Sequence, residues 1–138
     1  MNIDHIAIYV NNLEVEKNFF VKYFDAQPSD KYINPKGDFS SYFLIFDNGS
    51  RFEIMHRISM IDPKKAKYRS GYHHVALNVG GKPDVDRITQ LMEDDGVFVI
   101  KAPRLTGDGY YASIVADPEG NEIEILAGSF ERRQHHEN

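Results

Sequence analysis

His5-Ile6-Ala7-Ile8-Tyr9-Val10 is written twice in this chain: His74-Val75-Ala76-Leu77-Asn78-Val79 repeats it at an offset of 69, and every pair except Tyr9/Asn78 is identical or an aliphatic exchange. A second pair, Phe52-Glu53-Ile54-Met55 and Ile123-Glu124-Ile125-Leu126, recurs at an offset of 71. In the first of these strands, His5, Ala7 and Tyr9 fall on one face and Ile6, Ile8 and Val10 on the other, the two-residue period of a β-strand. Internal repetition outranks any single motif in deciding a fold. Each half opens with a His on its first strand and closes with a Glu on its last.

Working outward from these landmarks, both halves follow one order. After the strand Ile3 to Val10, Asn11 or Asn12 caps a helix over Leu13 to Phe24, in which Val15, Phe19, Phe20, Tyr23 and Phe24 recur near helical spacing. Glu14 stands three residues after Asn11, a capping-box-like arrangement. A short strand is expected near Gln27 to Ile33. Strands over Ser41 to Phe46 and Ser50 to His56 then form a hairpin on Asp47-Asn48-Gly49, which supplies positive φ readily. Ser59 to Gly71 is polar, carries Pro63 and Lys64-Lys65, and reads as a connection. The second half repeats the plan: strand Tyr72 to Val79, Gly80-Gly81, then a helix from about Pro83 to Asp95 with Val85, Ile88, Leu91 and Met92 on its buried face. Strands Val97 to Lys101 and Tyr110 to Ala116 follow, and the turn Asp117-Pro118-Glu119-Gly120-Asn121 leads to a last strand, Glu122 to Ala127. The expected fold class is therefore α+β: one domain over residues 1–128, built of paired βαβββ modules at about 1–58 and 72–128, with a polar, mobile tail over 129–138.

Composition bounds the function. At 138 residues, 41% apolar and 27% charged, the chain suits a single globular domain. A net charge of −5 argues against a nucleic-acid or anionic-membrane partner and points to a small-molecule substrate. With no cysteine, disulfides, thiolate metal sites and cysteine nucleophiles are excluded. The N-terminus has no basic, apolar leader, and no window approaches the roughly 20 apolar residues of a membrane span, so the cytoplasm is the expected location.

Two like modules, each burying one sheet face under its helix, can pack their open faces together around a cavity. His5, Glu53, His74 and Glu124 would converge there, and a set of two imidazoles and two carboxylates suits a divalent ion such as Zn, Ni, Co, Mn or Fe. Without a cation the two carboxylates would repel and resist desolvation.

His5-Ile-Ala-Ile-Tyr-Val, Tyr72-His-His74-Val-Ala-Leu-Asn-Val and, most specifically, Asp117-Pro-Glu-Gly-Asn-Glu-Ile-Glu124-Ile-Leu resemble the motifs of the vicinal oxygen chelate superfamily, in particular its single-domain glyoxalase I-like members, over about residues 1 to 127. The resemblance implies an open eight-stranded barrel-like sheet around a metal cavity, with His5, Glu53, His74 and Glu124 as ligands of one metal. A His at the first ligand position is similar to the nickel- or cobalt-preferring branch. The implied activity is that of a lyase or isomerase: a substrate with adjacent oxygens chelates the metal, and proton transfer proceeds through an enediolate. The resemblance assigns the base to Glu124, with Glu53 as the alternative made nearly equivalent by the repeat. Similar proteins are often homodimers, whose modules pair within a chain or are exchanged between two.

Departures from the family bear on the substrate. Tyr9 occupies the place of an Arg that helps bind the glutathione carboxylate in glyoxalase I, and Arg57 the place of a usual Asn. Arg57, Arg51 and Lys101 remain candidates for meeting another anionic substrate, with Tyr9 beside them. His73 falls on the opposite face from His74 and His56 on the opposite face from Glu53, while His135 and His136 lie in the tail; none is expected to be a ligand. Glu122 shares a face with Glu124, as Arg51 does with Glu53. Phe19, Phe20 and Phe24 read as core, and one of each pair Tyr42/Phe43 and Tyr110/Tyr111 as cavity lining. Other readings within the superfamily are an acyl-coenzyme A epimerase, a thiol transferase or a ring-cleaving dioxygenase. The last two typically use two His and one Glu, so the fourth donor at Glu53 argues against them. A metal-free drug-binding protein would lack one of the four ligands.

Overall fold

The computed structural model describes residues 1–128; the predicted tail lies outside them. Eleven elements follow in order: β1 (His5–Tyr9), α1 (Leu13–Phe24), β2 (Gln27–Pro28), β3 (Tyr32–Ile33), β4 (Phe39–Ile45), β5 (Arg51–Arg57), β6 (His74–Gly80), α2 (Lys82–Asp94), β7 (Val99–Leu105), β8 (Tyr111–Ala116) and β9 (Glu122–Ala127). The fold is α+β, made of two βαβββ modules, and neither of its sheets closes into a barrel. The described chain forms two compact units: Met1–His73 with Asp117–Asn121, and His74–Ala116 with the chain from Glu122. No described helix is long and apolar enough to cross a membrane.

In the first unit the strands run in the order β1-β5-β4-β2, with β3 also on β4. β1 lies parallel to β5, and the β4–β5 hairpin turns through Gly49 at φ 84°, as its turn sequence predicts. One face of this sheet is covered by α1: Phe20 is fully buried and meets Phe52 of β5 ring to ring at 5.5 Å, over a floor of Leu44 and Ile54. The expected short strand is two two-residue strands, because the chain leaves the β4 ladder at Asp30-Lys31 and rejoins it at Tyr32.

The second unit repeats the plan in the order β6-β9-β8-β7, with β6 parallel to β9. Val85, Ile88 and Met92 of α2 pack among the buried Val115, Ile123 and Ile125. Thr89 Oγ1 donates to the Val85 carbonyl at 2.6 Å and so accepts from Ser113 Oγ at 2.7 Å, pinning the helix to β8 through a satisfied buried pair. Gly80 has to be glycine: its φ is 118°, and a Cβ there would lie 2.8 Å from the Asp84 carboxylate that accepts the Gly81 N–H.

Several expectations need correction. Asn12 is the N-cap of α1, its side chain accepting from Val15 N at 3.1 Å, so Glu14 is not placed for a capping box and instead accepts from the Tyr42 hydroxyl at 2.8 Å. Val15 and Leu91 point to solvent, and Glu16 occupies the buried position on α1 assigned to Val15. The second strand of the second module starts later and runs on to Leu105, through Pro103. β7 is an edge strand, where a proline removes no ladder hydrogen bond, and its register on β8 shifts on both sides of Lys101.

Candidate metal centre

The ladder that joins the first and last strands of each module sets the geometry of its candidate ligands. In the first, His5 pairs with Arg51 and Ala7 with Glu53; in the second, His74 pairs with Glu122 and Ala76 with Glu124. The register is the same in both, so each Glu lies diagonally across from its His on the sheet face turned away from the helix. The distances agree: His5 Nε2 is 3.7 Å from Glu53 Oε1, and His74 Nε2 is 3.7 Å from Glu124 Oε2.

That separation is too long for a hydrogen bond. It falls within the roughly 3 to 4 Å that separates a nitrogen and an oxygen each about 2.1 Å from one small ion. Both carboxylates are largely withdrawn from solvent, with side chains 15% and 17% exposed. Neutral imidazole nitrogen with carboxylate oxygen is a donor set that fits a divalent ion. The sequence-predicted ligands are thus brought together as two pairs, one in each unit; among the described residues no group of three or more His, Asp and Glu side chains stands in a metal-holding arrangement.

Around the first pair the sheet face is built from aromatic and cationic side chains. Phe43 pairs with Glu53 across the ladder and meets the His5 ring edge to face, with centroids 5.1 Å apart. Phe43 is thus the member of its pair on this face, whereas Tyr42 reaches back to α1. The Arg51 guanidinium lies over the Phe43 ring at 4.9 Å and donates to Asp4 Oδ2, which also meets His5 Nδ1 at 2.7 Å. Further along β5, Arg57 sits over Phe39 at 5.3 Å and is 3.9 Å from Asp38, and the phenol of Tyr9 is the largest influence favouring its charged form. Lys101 is exposed on β7, paired through Ile114 of β8 with the position of Glu124. In the second unit Tyr111 hydrogen-bonds Asp86 of α2 and is therefore turned toward the helix. His56 Nδ1 meets the Val10 carbonyl at 2.9 Å, a structural contact.

Sequence reasoning passed over two acidic residues. Asp4, whose signal was its place beside His5, buttresses the imidazole. Glu16 is fully buried on α1, and among the described residues neither carboxylate oxygen has a well-formed hydrogen bond. Burial, then the neighbouring Asp117 and Glu119, push its carboxyl up to about 9, so it is neutral at pH 7. Those neighbours belong to the turn before β9. Asp117 Oδ1 accepts from Glu119 N and Asn121 N at 2.9 and 2.8 Å, and Glu119 in turn accepts from the backbone N–H groups of Asn11 and Asn12 at the start of α1. Lys65 Nζ donates to Asn121 Oδ1 at 2.9 Å, tying the connection to the same turn. The turn Asp117–Asn121 is therefore tied to the start of α1 and to the connection within the first unit.

Comparison with known proteins agrees with this architecture. The family model described as "Glyoxalase/Bleomycin resistance protein/Dioxygenase superfamily" matches residues 2–125. "Uncharacterized protein YqjT" of Bacillus subtilis (strain 168) is 28% identical over 134 residues, covering 91% of this chain and 98% of that protein. Among solved structures, a glyoxylase/bleomycin resistance protein/dioxygenase domain from Frankia sp. EAN1pec superposes with a TM-score of 0.80 at 13% identity, over 99% of this chain and 98% of that one. The trypanothione-dependent glyoxalase I of Leishmania major gives 0.74 at 20% identity, over 92% and 86%. At these identities the structural likeness speaks for the fold.

Proposed function

The chain belongs to the glyoxalase/bleomycin resistance protein/dioxygenase superfamily, and on that premise we propose that it is a divalent-metal-dependent lyase of the glyoxalase I type, active in the cytoplasm as a homodimer. The two His–Glu pairs are proposed to share one ion, held by His5, Glu53, His74 and Glu124. The observation that carries the reading is the duplicated pair itself: two modules of different sequence keep an imidazole nitrogen and a carboxylate oxygen 3.7 Å apart in the same ladder register.

A bound divalent ion, with nickel or cobalt preferred and zinc, manganese or iron also suited to the donors, supplies Lewis acidity toward a substrate with adjacent oxygens. The protein's own part is proton transfer and orientation. Glu124 removes a proton from the carbon beside a carbonyl and returns it to the neighbouring carbon, as a positioned base and then acid. Glu53 is its counterpart by register and the alternative base. Arg57, braced by Phe39 and Tyr9, offers a cation to the remote anionic end of a 2-oxoaldehyde–thiol adduct, with Lys101 as a second candidate. Glu53 and Glu124 lie among side chains that limit water, as a proton-transfer step requires.

The test begins with metal analysis of the protein purified without chelator, followed by assays with methylglyoxal and a series of thiols, glutathione included, and with an α-epimerisable thioester. One divalent ion per chain and lyase turnover with one of the thiols are expected. Metal retained by the His5→Ala/His74→Ala double variant rejects the site, and turnover confined to the thioester replaces lyase with epimerase.

A further inference from the structure

A metal-ligating imidazole must be neutral and must present the correct nitrogen, and which nitrogen carries the proton is set by what the other one meets. For His5 the structure supplies that second partner. Asp4 Oδ2 lies 2.7 Å from Nδ1, while Nε2 of the same ring lies beside Glu53. An ionised carboxylate can only accept hydrogen bonds, so the nitrogen facing Asp4 is the one bearing hydrogen. Asp4 Oδ2 also accepts from Arg51, a donor-only group, so this oxygen acts as an acceptor toward both of its neighbours.

The same oxygen of Asp4 accepts from Arg51, which stands directly opposite His5 in the β1–β5 ladder. Arg51 balances the charge of Asp4, so the ring is oriented without a net negative charge behind it. Phe43 completes the bracket, meeting the His5 ring edge to face and carrying the Arg51 guanidinium above its own ring. His5 is thereby held at Nδ1 and against one side of its ring, with Nε2 left toward Glu53.

We propose that Asp4 and Arg51 are positioning residues that fix His5 as the Nδ1–H tautomer, so that the Nε2 lone pair faces Glu53 as a preformed half of the cation site. Arg51 is then occupied within the protein. The use to which the tautomer is put rests on the metal reading of His5; the tautomer itself does not.

The two can be tested apart. Long-range proton–nitrogen correlation spectra of the ¹⁵N-labelled, metal-free full chain at pH about 8 report which ring nitrogen of each histidine carries hydrogen, and His5→Gln assigns the His5 signals. Wild type is expected to show His5 as the Nδ1–H form. Asp4→Ala is expected to lose that preference, whereas Asp4→Asn keeps it, because its side-chain carbonyl still accepts. Asp4 lies at the surface with its side chain 70% exposed, and backbone amide spectra confirm that the variants stay folded. In parallel, cobalt(II) and zinc affinity measured by competition with a chromophoric chelator is expected to fall about 10- to 100-fold in Asp4→Ala and less in Asp4→Asn. An Nε2–H form in the wild type, or an unchanged tautomer in Asp4→Ala, overturns the proposal. The expected tautomers in a protein that binds neither ion support the positioning role and overturn the metal reading alone.

Discussion

Glu16→Gln isolates the energetic consequence of a carboxyl that folding forces to take up a proton. In the unfolded chain Glu16 titrates near 4.5, whereas in the folded protein it titrates near 9, chiefly because it is fully buried and then because Asp117 and Glu119 face it, with Lys65 acting in the opposite sense. A raised carboxyl contributes most to stability below the unfolded value, where both states are protonated. That contribution is lost as pH climbs from about 4.5 to about 9, because the unfolded state sheds its proton first. Over this window wild-type stability falls by about 1.4 kcal/mol per pH unit from this group, or about 3 kcal/mol by pH 7. Glutamine matches the neutral carboxyl in shape and carries no proton to gain. The substitution is therefore expected to leave stability near the wild-type value at pH 4.5 and to raise it progressively above that. Urea unfolding of both proteins at half-unit steps from pH 4.5 to 8.5 measures the gap. Any packing or hydrogen-bond difference between Gln and Glu adds a constant offset, so the slope of the gap against pH carries the result. Parallel curves would mean that Glu16 is ionised in the folded state, refuting the reasoning.

Three further outcomes follow from the same geometry. Glu124→Gln is expected to retain measurable divalent metal by mass spectrometry while kcat falls about 100- to 10,000-fold, the range of a lost general base; an unimpaired kcat moves that role to Glu53. Arg57→Ala is expected to raise KM for an anionic thiol adduct with kcat held, because it removes uniform binding; a fall in kcat at constant KM contradicts its placement at the substrate's remote end. Asn12→Ala removes the side chain that accepts from Val15 N and is expected to cost about 1 kcal/mol in urea unfolding, with Asn12→Gly costing less.

What could be read from the chain follows the strictness of each periodicity. The β9 strand, Glu122–Ala127, and the α1 helix, Leu13–Phe24, fall at the predicted residues because an alternating pattern bounded by a turn and a helical pattern bounded by a cap have few alternative frames. Reading fails where a residue type is taken for an address. Glu16 carries a charge and was passed over for the core, although its spacing from Leu13, Phe19 and Phe20 puts it on their face of the helix. The carboxyl is admitted there because it sheds its charge. Leu91 was assigned to the core by its apolar character, but the face of α2 that meets the sheet runs through Val85, Ile88, Thr89 and Met92. The strand expected over Val97 to Lys101 runs instead over Val99–Leu105, an edge strand that tolerates Pro103.

For the candidate site the informative quantity is a difference between offsets. The two His lines repeat at 69 residues and the two Glu lines at 71, so the second module carries two more residues between its His and its Glu than the first. A shift of two along β9 would preserve the facing of Glu124 yet move it by one ladder rung away from His74. The registers show instead that Glu53 pairs with Ala7 and Glu124 with Ala76, so the extra residues are absorbed outside these parallel ladders. Constraint on the first and last strands is therefore tighter than on the chain between them, which is the distribution expected where function depends on the diagonal between two side chains and on little else. The surroundings of the two diagonals were not readable in the same way. The residue opposite the His is Arg51 in one module and Glu122 in the other, and the residue before it is Asp4 in one and His73 in the other. Duplication transmits the ladder and leaves the neighbours free to diverge, so two His–Glu pairs of the same register sit beside different side chains, Asp4 and Arg51 in one module and His73 and Glu122 in the other.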